Sequence, residues 1–141
     1  MHCVFSTKGR RPIITQALSE RLIPYIGRIA RANGIILIAA GGIEDHIHLL
    51  ILLPKTLSIS KAMQLIKGGS SKWIHDTFPK HSSFEWQEGY GSFSVSTSNK
   101  SRVIDYINKQ REHHKKADFK SEFISFLKAH EIEYDERYVF D

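Results

Sequence analysis

The stretch IILIAAGGIEDHIHLLILL, residues 35–53, carries two apolar runs on either side of a polar turn. The first run covers residues 35–40 and the second covers residues 46–53. Residues 41–45 between them are rich in glycine and acidic side chains, which are typical of turns. The pattern predicts a β-hairpin. Both faces of the second run are apolar beyond His48, which indicates a strand in the middle of a sheet.

His46 and His48 occupy alternate positions of the predicted second strand, so their side chains point to the same face of the sheet. Ile47 points to the opposite face, toward the core. Two imidazoles on one face can bind a divalent metal ion. The same spacing also occurs in strands that bind no metal, so the pair alone leaves both interpretations open.

The composition is typical of a soluble globular protein, with 41% hydrophobic and 25% charged residues. No apolar run has the length of a membrane span, and the N-terminus lacks the apolar core of a signal peptide. Cys3 is the only cysteine, which excludes an intramolecular disulfide. We therefore expect a cytoplasmic protein.

The charge balance favours a polyanionic partner. Twenty Lys and Arg residues against fifteen Asp and Glu residues give a net charge of +5 and a pI near 9.4. Composition does not specify which polyanion is bound.

The segments around the hairpin predict the remaining elements from capping residues and apolar periodicity. In chain order these are a strand at 4–7, a helix from the N-cap Thr15 to about 33, a helix from the N-cap Ser58 to about 78, a strand at 92–97, a helix from Ser98 or Asn99 to about 116, and a shorter amphipathic segment containing Phe123, Phe126 and Leu127. Pro24 lies within the first helix and predicts a kink or a delayed start.

This order predicts an α+β fold of the split βαβ type, ferredoxin-like or RRM-like, with an antiparallel sheet and helices on one face plus a further C-terminal helix. A length of 141 residues fits one domain, and we find no repeat or linker. We therefore expect a single domain at 1–141. It divides into a core at about 2–97, a tyrosine-bearing helix at about 99–116 and a C-terminal tail at 117–141.

The predicted third helix places polar side chains beside an apolar stripe. Tyr106 and Gln110 are four residues apart, and His113 is seven from the tyrosine, so all three lie near one face. In isolation this pattern fits either a boundary tyrosine with solvated neighbours or a functional site.

Several short motifs together resemble one family. They are Gly41-Gly42, Asp45-His46-Ile47-His48-Leu49-Leu50, Trp86-Gln87, Gly89-Tyr90-Gly91, Phe93-Ser94-Val95-Ser96 and Tyr106-Ile107-x-x-Gln110-x-x-His113-His114. In this order the chain resembles the single-tyrosine transposases of the HUH superfamily, which bacterial insertion sequences encode and which include REP-associated tyrosine transposases. The resemblance extends from Val4 to Tyr138.

The resemblance implies a reaction and a set of site residues. By similarity, His46, His48 and Gln110 correspond to ligands of a divalent metal, Mg²⁺, for which Mn²⁺ can substitute. Tyr106 corresponds to the nucleophile that cleaves and rejoins single-stranded DNA through a 5′-phosphotyrosine intermediate at hairpin-forming ends. The family also implies a homodimer, and the sequence does not decide whether each site is built within one chain or across two.

Two further residues are candidates for supporting the metal ligands. Asp45 can orient His46 as a hydrogen-bond acceptor or can merely complete the turn, and His113 lies near the proposed nucleophile. Candidate DNA contacts are the basic residues of a turn and of the second helix, namely Lys8, Arg10, Arg11, Lys61, Lys67 and Lys72.

Two other functions remain open at this point. An RRM-like module would bind nucleic acid without cleaving it, and it requires aromatic side chains on the outward face of the sheet. The strand at 46–53 presents histidines and aliphatic residues instead. A domesticated relative that nicks palindromic DNA without transposition would have the same chemistry, so the sequence does not separate it from an active transposase.

Overall fold

The computed structural model describes residues 1–110, 118–130 and 132, and its centre is a four-stranded antiparallel sheet with the order β2-β3-β1-β4. The strands are β1 (His2–Ser6), β2 (Ile36–Ile43), β3 (His46–Leu52) and β4 (Gly91–Phe93). The helices are α1 (Gln16–Ala32), α2 (Ile59–Thr77), α3 (Lys100–Asn108) and α4 (Phe119–Ala129). The predicted split βαβ fold is confirmed.

The hairpin of β2 and β3 is tighter than the sequence predicted. Pairing continues from Gly41 opposite His48 to Ile43 opposite His46, so the glycines belong to the strand and the turn shrinks to residues 44–45. The prediction of a turn over 41–45 was therefore wrong. Glycine often marks a turn, but here a side chain at Gly42 would collide with the backbone of His46 across the hairpin.

The fourth strand is shorter than the predicted 92–97. β4 pairs only with β1, and Phe93 lies opposite His2, the first residue of that strand. The pairing of β4 with β1 ends at Phe93. The chain then leaves the sheet and forms a short 3-10 helix, Thr97–Asn99, that leads into α3.

Helices α1 and α2 pack on the first face of the sheet. Thr15 and Ser58 cap these helices as predicted, because each side chain accepts a hydrogen bond from a backbone N–H three residues later. α1 continues through Pro24 to Ala32. The core beneath these helices includes Cys3, Phe5, Ile47, Leu49 and Ile51 from the sheet, with Leu22, Ile26, Met63 and Ile66 from the helices.

Helices α3 and α4 cover the second face, so the sheet has helices on both sides. α4 packs Phe119, Phe123 and Leu127 against Val4 and Phe93 of the sheet. α3 approaches β2 so closely that a Cβ at Gly41 would lie 2.5 Å from the carbonyl oxygen of Ile107.

The third helix ends earlier than predicted. α3 stops at Asn108, and Lys109 has non-helical backbone angles of φ −108° and ψ 27°. The predicted continuation to about 116, and most of the predicted tail at 117–141 apart from α4, lie outside the described residues. Within the described ranges, no helix combines the length and the apolar character needed to cross a membrane.

Candidate metal centre and nucleophile

The histidine pair lies on the second face of the sheet, as strand alternation predicted. His46 and His48 are both fully buried, and their ring centroids are 5.1 Å apart. Ile47 between them points into the opposite core. The ring of Phe119 lies 4.7 Å from that of His46, so α4 forms part of the cover over the pair.

A carboxylate from α4 completes this cluster. Glu122 Oε1 lies 2.8 Å from His48 Nε2 and 3.4 Å from His46 Nε2. One ligand atom from each of these three residues can be chosen so that all lie within 4.8 Å of one another. Two imidazole nitrogens and a carboxylate oxygen form a donor set that suits a divalent cation, so the residues present fit a metal ion.

Gln110, the predicted third ligand, lies at the same centre. Its Oε1 is 3.1 Å from His46 Nε2, and its amide Nε2 donates to the backbone carbonyl of Tyr106. The amide therefore turns its oxygen toward the histidine and its nitrogen toward the Tyr106 carbonyl of α3. This orientation adds a neutral oxygen donor to the cluster.

Tyr106 contacts the cluster from α3 of the same chain. Its phenol donates a hydrogen bond to Glu122, and its ring centroid lies 5.7 Å from that of His48. Burial, followed by the hydrogen bond to the Glu122 carboxylate, raises the pKa of Tyr106 above its usual range. The phenol is therefore protonated at neutral pH.

Asp45 is placed to orient His46. Its Oδ1 lies 2.7 Å from His46 Nδ1, which leaves the other ring nitrogen facing the cluster. Burial lowers the pKa of His46, but the hydrogen bonds to Asp45 and Glu122 outweigh it and raise that pKa to about 9. The predicted orienting contact is present, whereas the other predicted supporting residue, His113, lies outside the described residues.

His48 has a supporting partner that the sequence did not indicate. His2 Nε2 lies 2.8 Å from His48 Nδ1, and His2 is only 2% exposed. Burial, together with the charge of His48, lowers the pKa of His2 to about 3. The ring is therefore neutral.

Sequence reasoning missed both Glu122 and His2. Glu122 follows Phe119 by three residues and precedes Phe126 by four, so it lies on the apolar stripe of an amphipathic helix. A single acid on such a stripe was the available signal. For His2 the signal was weaker, because strand alternation gives a face but does not reveal which residues of a distant strand share it.

Lys67, one of the predicted DNA contacts, forms hydrogen bonds within the protein. Its ammonium donates to the backbone carbonyls of Gln87, Glu88 and Gly89 at 2.7, 3.1 and 2.8 Å. Burial lowers the pKa of Lys67 to about 8, and the charge of Glu88 opposes this effect. These three contacts tie Lys67 to the 87–89 loop in the absence of DNA.

The other predicted DNA contacts lie at the surface. Lys8 pairs with Glu85 at 3.6 Å and is 62% exposed, and Lys72 pairs with Asp76 at 3.1 Å and is 79% exposed. Lys61 and Arg11 are also exposed, and Arg10 is half-buried. Lys61 and Lys72 are eleven residues apart on α2, which places them close to one stripe of that helix.

A cavity of about 290 Å³ adjoins Tyr106 between α3, α4 and the edge of the sheet. Its lining includes His2, Phe93 and Phe126 together with Arg102. Tyr106 is only partly buried, whereas the histidine pair is fully buried. The tyrosine is therefore the member of the cluster that a ligand in this cavity would meet.

Comparison with known proteins places this cluster in context. The family model described as "Transposase IS200 like" matches residues 1–110. The transposase for insertion sequence element IS200 of Salmonella typhimurium is 29% identical over 119 residues, which cover 81% of this chain and 78% of that protein. The ISDra2 transposase TnpA of Deinococcus radiodurans is 22% identical over 116 residues, which cover 79% of this chain and 83% of that protein.

Solved structures show the same fold. A candidate transposase from Deinococcus radiodurans R1 has a TM-score of 0.65 at 24% identity, over 77% of this chain and 88% of that one. A REP-associated tyrosine transposase bound to a REP hairpin has a TM-score of 0.62 at 17% identity, over 80% of this chain and 66% of that one. The family match spans the sheet, α1 to α3, the histidine pair and the tyrosine. This chain belongs to the IS200-like transposase family.

Proposed function

We propose that this transposase cleaves and rejoins single-stranded DNA by metal-assisted transesterification, with Tyr106 as the nucleophile. The observation that carries the proposal is the position of Glu122, whose carboxylate contacts both the Tyr106 phenol and His48 in one buried cluster. A nucleophile and a metal-binding group thus meet at one point. Membership of a transposase family supports DNA as the substrate.

The proposed ligands of the metal are His46, His48, Gln110 and Glu122. Oxygen donors suit Mg²⁺, and the two imidazoles favour tighter binding of Mn²⁺ in vitro. When bound, the ion acts as a Lewis acid on the phosphate oxygens and stabilises the departing 3′-oxygen.

The chain's own residues handle the proton. The phenolic oxygen of Tyr106 attacks phosphorus and forms a 5′-phosphotyrosine bond, while the bond between phosphorus and the 3′-oxygen breaks and leaves its electron pair on that oxygen. Because the pKa of Tyr106 is raised, its proton leaves during the attack and passes to Glu122, the acceptor of its hydrogen bond. The proton then moves to the leaving oxygen and gives a 3′-hydroxyl.

Rejoining is the same step in reverse. A 3′-hydroxyl attacks the phosphotyrosine bond, Tyr106 departs and takes the proton back, and a phosphodiester forms. The bond energy is retained in the covalent intermediate, so no nucleotide cofactor is required.

The proposed partner is single-stranded DNA with hairpin ends. The solved transposase bound to a REP hairpin shares this fold and supports the proposal. The proposed phosphate contacts are Lys8, Arg10, Arg11, Lys61 and Lys72. A chain with one nucleophilic tyrosine processes one DNA end at a time, so we also propose a homodimer. The ring of Tyr106 lies 5.7 Å from that of His48 in the same chain, which supports a site built within one chain.

The structure gives little support to an RRM-like binding module. That module stacks bases on exposed aromatics of its sheet, whereas α3 and α4 cover the corresponding face here. A domesticated nickase keeps the same site and differs only in the DNA around its gene.

The test uses single-stranded DNA that carries the flanking hairpins of the gene, with Mg²⁺ or Mn²⁺. We expect a protein-DNA adduct that survives denaturation, disappears with chelator and is absent from Tyr106→Phe. Tyr25→Phe is the matched control, because Tyr25 stacks on Trp73 of α2 in the opposite half of the protein. An adduct that persists in Tyr106→Phe would exclude this nucleophile. Hairpin binding without any adduct would favour the binding module.

A further inference from the structure

We propose that the cavity beside Tyr106 binds one unpaired nucleobase, that of the nucleotide whose 5′-phosphate becomes bonded to the tyrosine. The inference rests on the proposed function, because it takes attack by Tyr106 as given, and it adds a base-binding site to the reacting groups. It is carried by the lining, the size and the position of the cavity.

The lining is rich in rings. Of the ten described residues that line the cavity, five carry an aromatic ring, namely His2, Phe93, Tyr106, Phe126 and His130. The ring of Phe93 lies 5.3 Å from that of Phe126 and 4.7 Å from that of His130. Aromatic side chains are the surfaces on which proteins stack unpaired bases. The lining therefore suits the flat face of a base.

The size of the cavity limits what it can hold. Its volume of about 290 Å³ lies at the lower end of the range of about 300–1,000 Å³ that is typical of small-molecule sites. This space fits one base and is too small for several nucleotides. A base inside a duplex has both faces covered by its neighbours, so the base that enters must be unpaired.

Polar groups for a nucleotide lie on the same face of α3 as the tyrosine. Asn99 and Arg102 precede Tyr106 by seven and four residues, which is the spacing of one helix face. Both line the cavity and are exposed, and neither side chain forms a hydrogen bond or ion pair with another described residue. Asn99 precedes α3 directly, yet its side chain does not cap the helix. Its amide can therefore contact a base edge, and the guanidinium of Arg102 can contact a phosphate.

The geometry of the proposed reaction selects one of the two nucleotides at the scissile bond. In an in-line displacement the departing 3′-oxygen lies on the far side of phosphorus from the phenolic oxygen, whereas the 5′-oxygen lies to the side. The cavity adjoins Tyr106 itself, so the nucleotide attached through the 5′-oxygen is the one that can reach it. That nucleotide also stays bonded to the tyrosine in the intermediate. A bound base would hold this end in place while the 3′-hydroxyl strand is exchanged.

The test removes the bases of the substrate one at a time. Binding of single-stranded DNA with the flanking hairpins of the gene is measured in Tyr106→Phe, which keeps the ring but cannot form the adduct. Each nucleotide beside the hairpin is replaced in turn by an abasic one. We expect one position at which the loss of the base weakens binding by about tenfold.

The dependence on that base should disappear when the cavity is altered. With Phe126→Leu added, the loss of the same base should weaken binding by less than about twofold, because one stacking ring is gone. Val103→Phe fills the cavity from α3 and should have the same effect, which keeps the test valid if Phe126→Leu does not fold. The matched control is Phe78→Leu, which removes a half-buried ring at the end of α2 and should leave the tenfold effect unchanged.

Two further measurements place the base and the phosphate. Digestion of the wild-type adduct and mass spectrometry identify the nucleotide bonded to Tyr106, which should be the position found with the abasic DNA. Arg102→Gln should reduce the slope of log affinity against log salt by about 0.7, whereas Arg28→Gln, at an exposed position of α1, should not.

The outcomes separate this proposal from the proposed function. An adduct in wild type, with no base whose loss is sensitive to Phe126→Leu or Val103→Phe, would overturn the base site and leave the reaction intact. A sensitive base at a position other than the one bonded to Tyr106 would also overturn the proposal. A sensitive base without any adduct would overturn the reaction and keep only a base site. A chain that neither binds nor cleaves this DNA would overturn both.

Discussion

The phenol of Tyr106 donates a hydrogen bond to the carboxylate of Glu122, sixteen residues further along the chain. The donor lies on α3 and the acceptor on α4, and the other oxygen of the same carboxylate lies 2.8 Å from His48. One side chain thus joins the proposed nucleophile to the proposed metal ligands. A change at Glu122 should therefore affect metal binding and proton transfer together.

Replacing Glu122 by glutamine tests that coupling. Glu122→Gln keeps the size of the side chain but removes the charge and the proton acceptor. We expect adduct formation to slow by about 100-fold or more and Mn²⁺ affinity to fall by about tenfold or more. The first is measured as the rate of adduct formation and the second by calorimetry.

The matched control is Glu20→Gln, which removes the same charge from an exposed position of α1. It should leave both measurements unchanged. Wild-type rates and affinity in Glu122→Gln would show that the carboxylate only fills space beneath α4.

Local patterns were sufficient for the part of the site that lies within single elements. Strand alternation put His46 and His48 on one face, and helical spacing put Tyr106 and Gln110 on another. Glu122 required knowledge of how α4 folds back over the sheet, which no local period contains. Local patterns therefore predicted which side chains share a face, and the family resemblance supplied their proposed roles. Neither indicated the carboxylate that arrives from a distant element.

Gly41→Ala should displace α3. The added methyl group would lie 2.5 Å from the carbonyl oxygen of Ile107, and both partners are backbone-fixed, so the helix must move. Ile107 follows Tyr106 directly, so this shift carries the nucleophile away from the histidines. We expect the free energy of unfolding to fall by about 1–3 kcal/mol and adduct formation to drop by at least about tenfold.

Gly68→Ala is the control for that substitution. Gly68 lies within α2, and an added Cβ there meets nothing within 4 Å. Alanine is the better helix former, so the variant should be more stable by about 0.5–1 kcal/mol and should cleave at the wild-type rate. Equal behaviour of the two variants in denaturant melts and adduct assays would contradict the close approach of α3 to β2.

The fold itself was predictable where the signals were local. Thr15 and Ser58 cap their helices because a cap depends only on the next few residues. The glycines at 41–42 misled the prediction because glycine serves both turns and close approaches. Only the packing of α3 against Gly41 and of β3 against Gly42 shows that the close approaches apply. The end of β4 at Phe93 likewise depends on pairing with β1, which the sequence of β4 does not contain.

Cys3 should resist alkylation in the folded protein. It is fully buried on β1, and burial raises the pKa of its thiol to about 12. At pH 8 the thiolate fraction is about a thousandfold below that of an ordinary cysteine, and the rate should rise tenfold per pH unit beyond pH 9 as long as the fold persists. Mass spectrometry after iodoacetamide treatment, with and without denaturant, measures the difference. Rapid native modification at pH 8 would mean that β1 is not covered by α1 and α2.

Lys67 and Lys72 lie on the same helix and should show opposite phenotypes. Lys67→Met removes three charge-assisted hydrogen bonds to the 87–89 loop, so the free energy of unfolding should fall by about 1–3 kcal/mol. Lys72→Met removes an exposed ion pair and should change stability by less than about 0.5 kcal/mol. Chemical denaturation measures both.

The salt dependence of DNA binding should change in Lys72→Met and stay the same in Lys67→Met. If Lys72 contacts a phosphate, its loss reduces the slope of log affinity against log salt by about 0.7 for single-stranded DNA. Lys67→Met should leave that slope unchanged under conditions where the variant is folded, because its ammonium is already bonded to the loop. A reduced slope in Lys67→Met with wild-type stability would instead show that the lysine leaves the 87–89 carbonyls and contacts the DNA backbone.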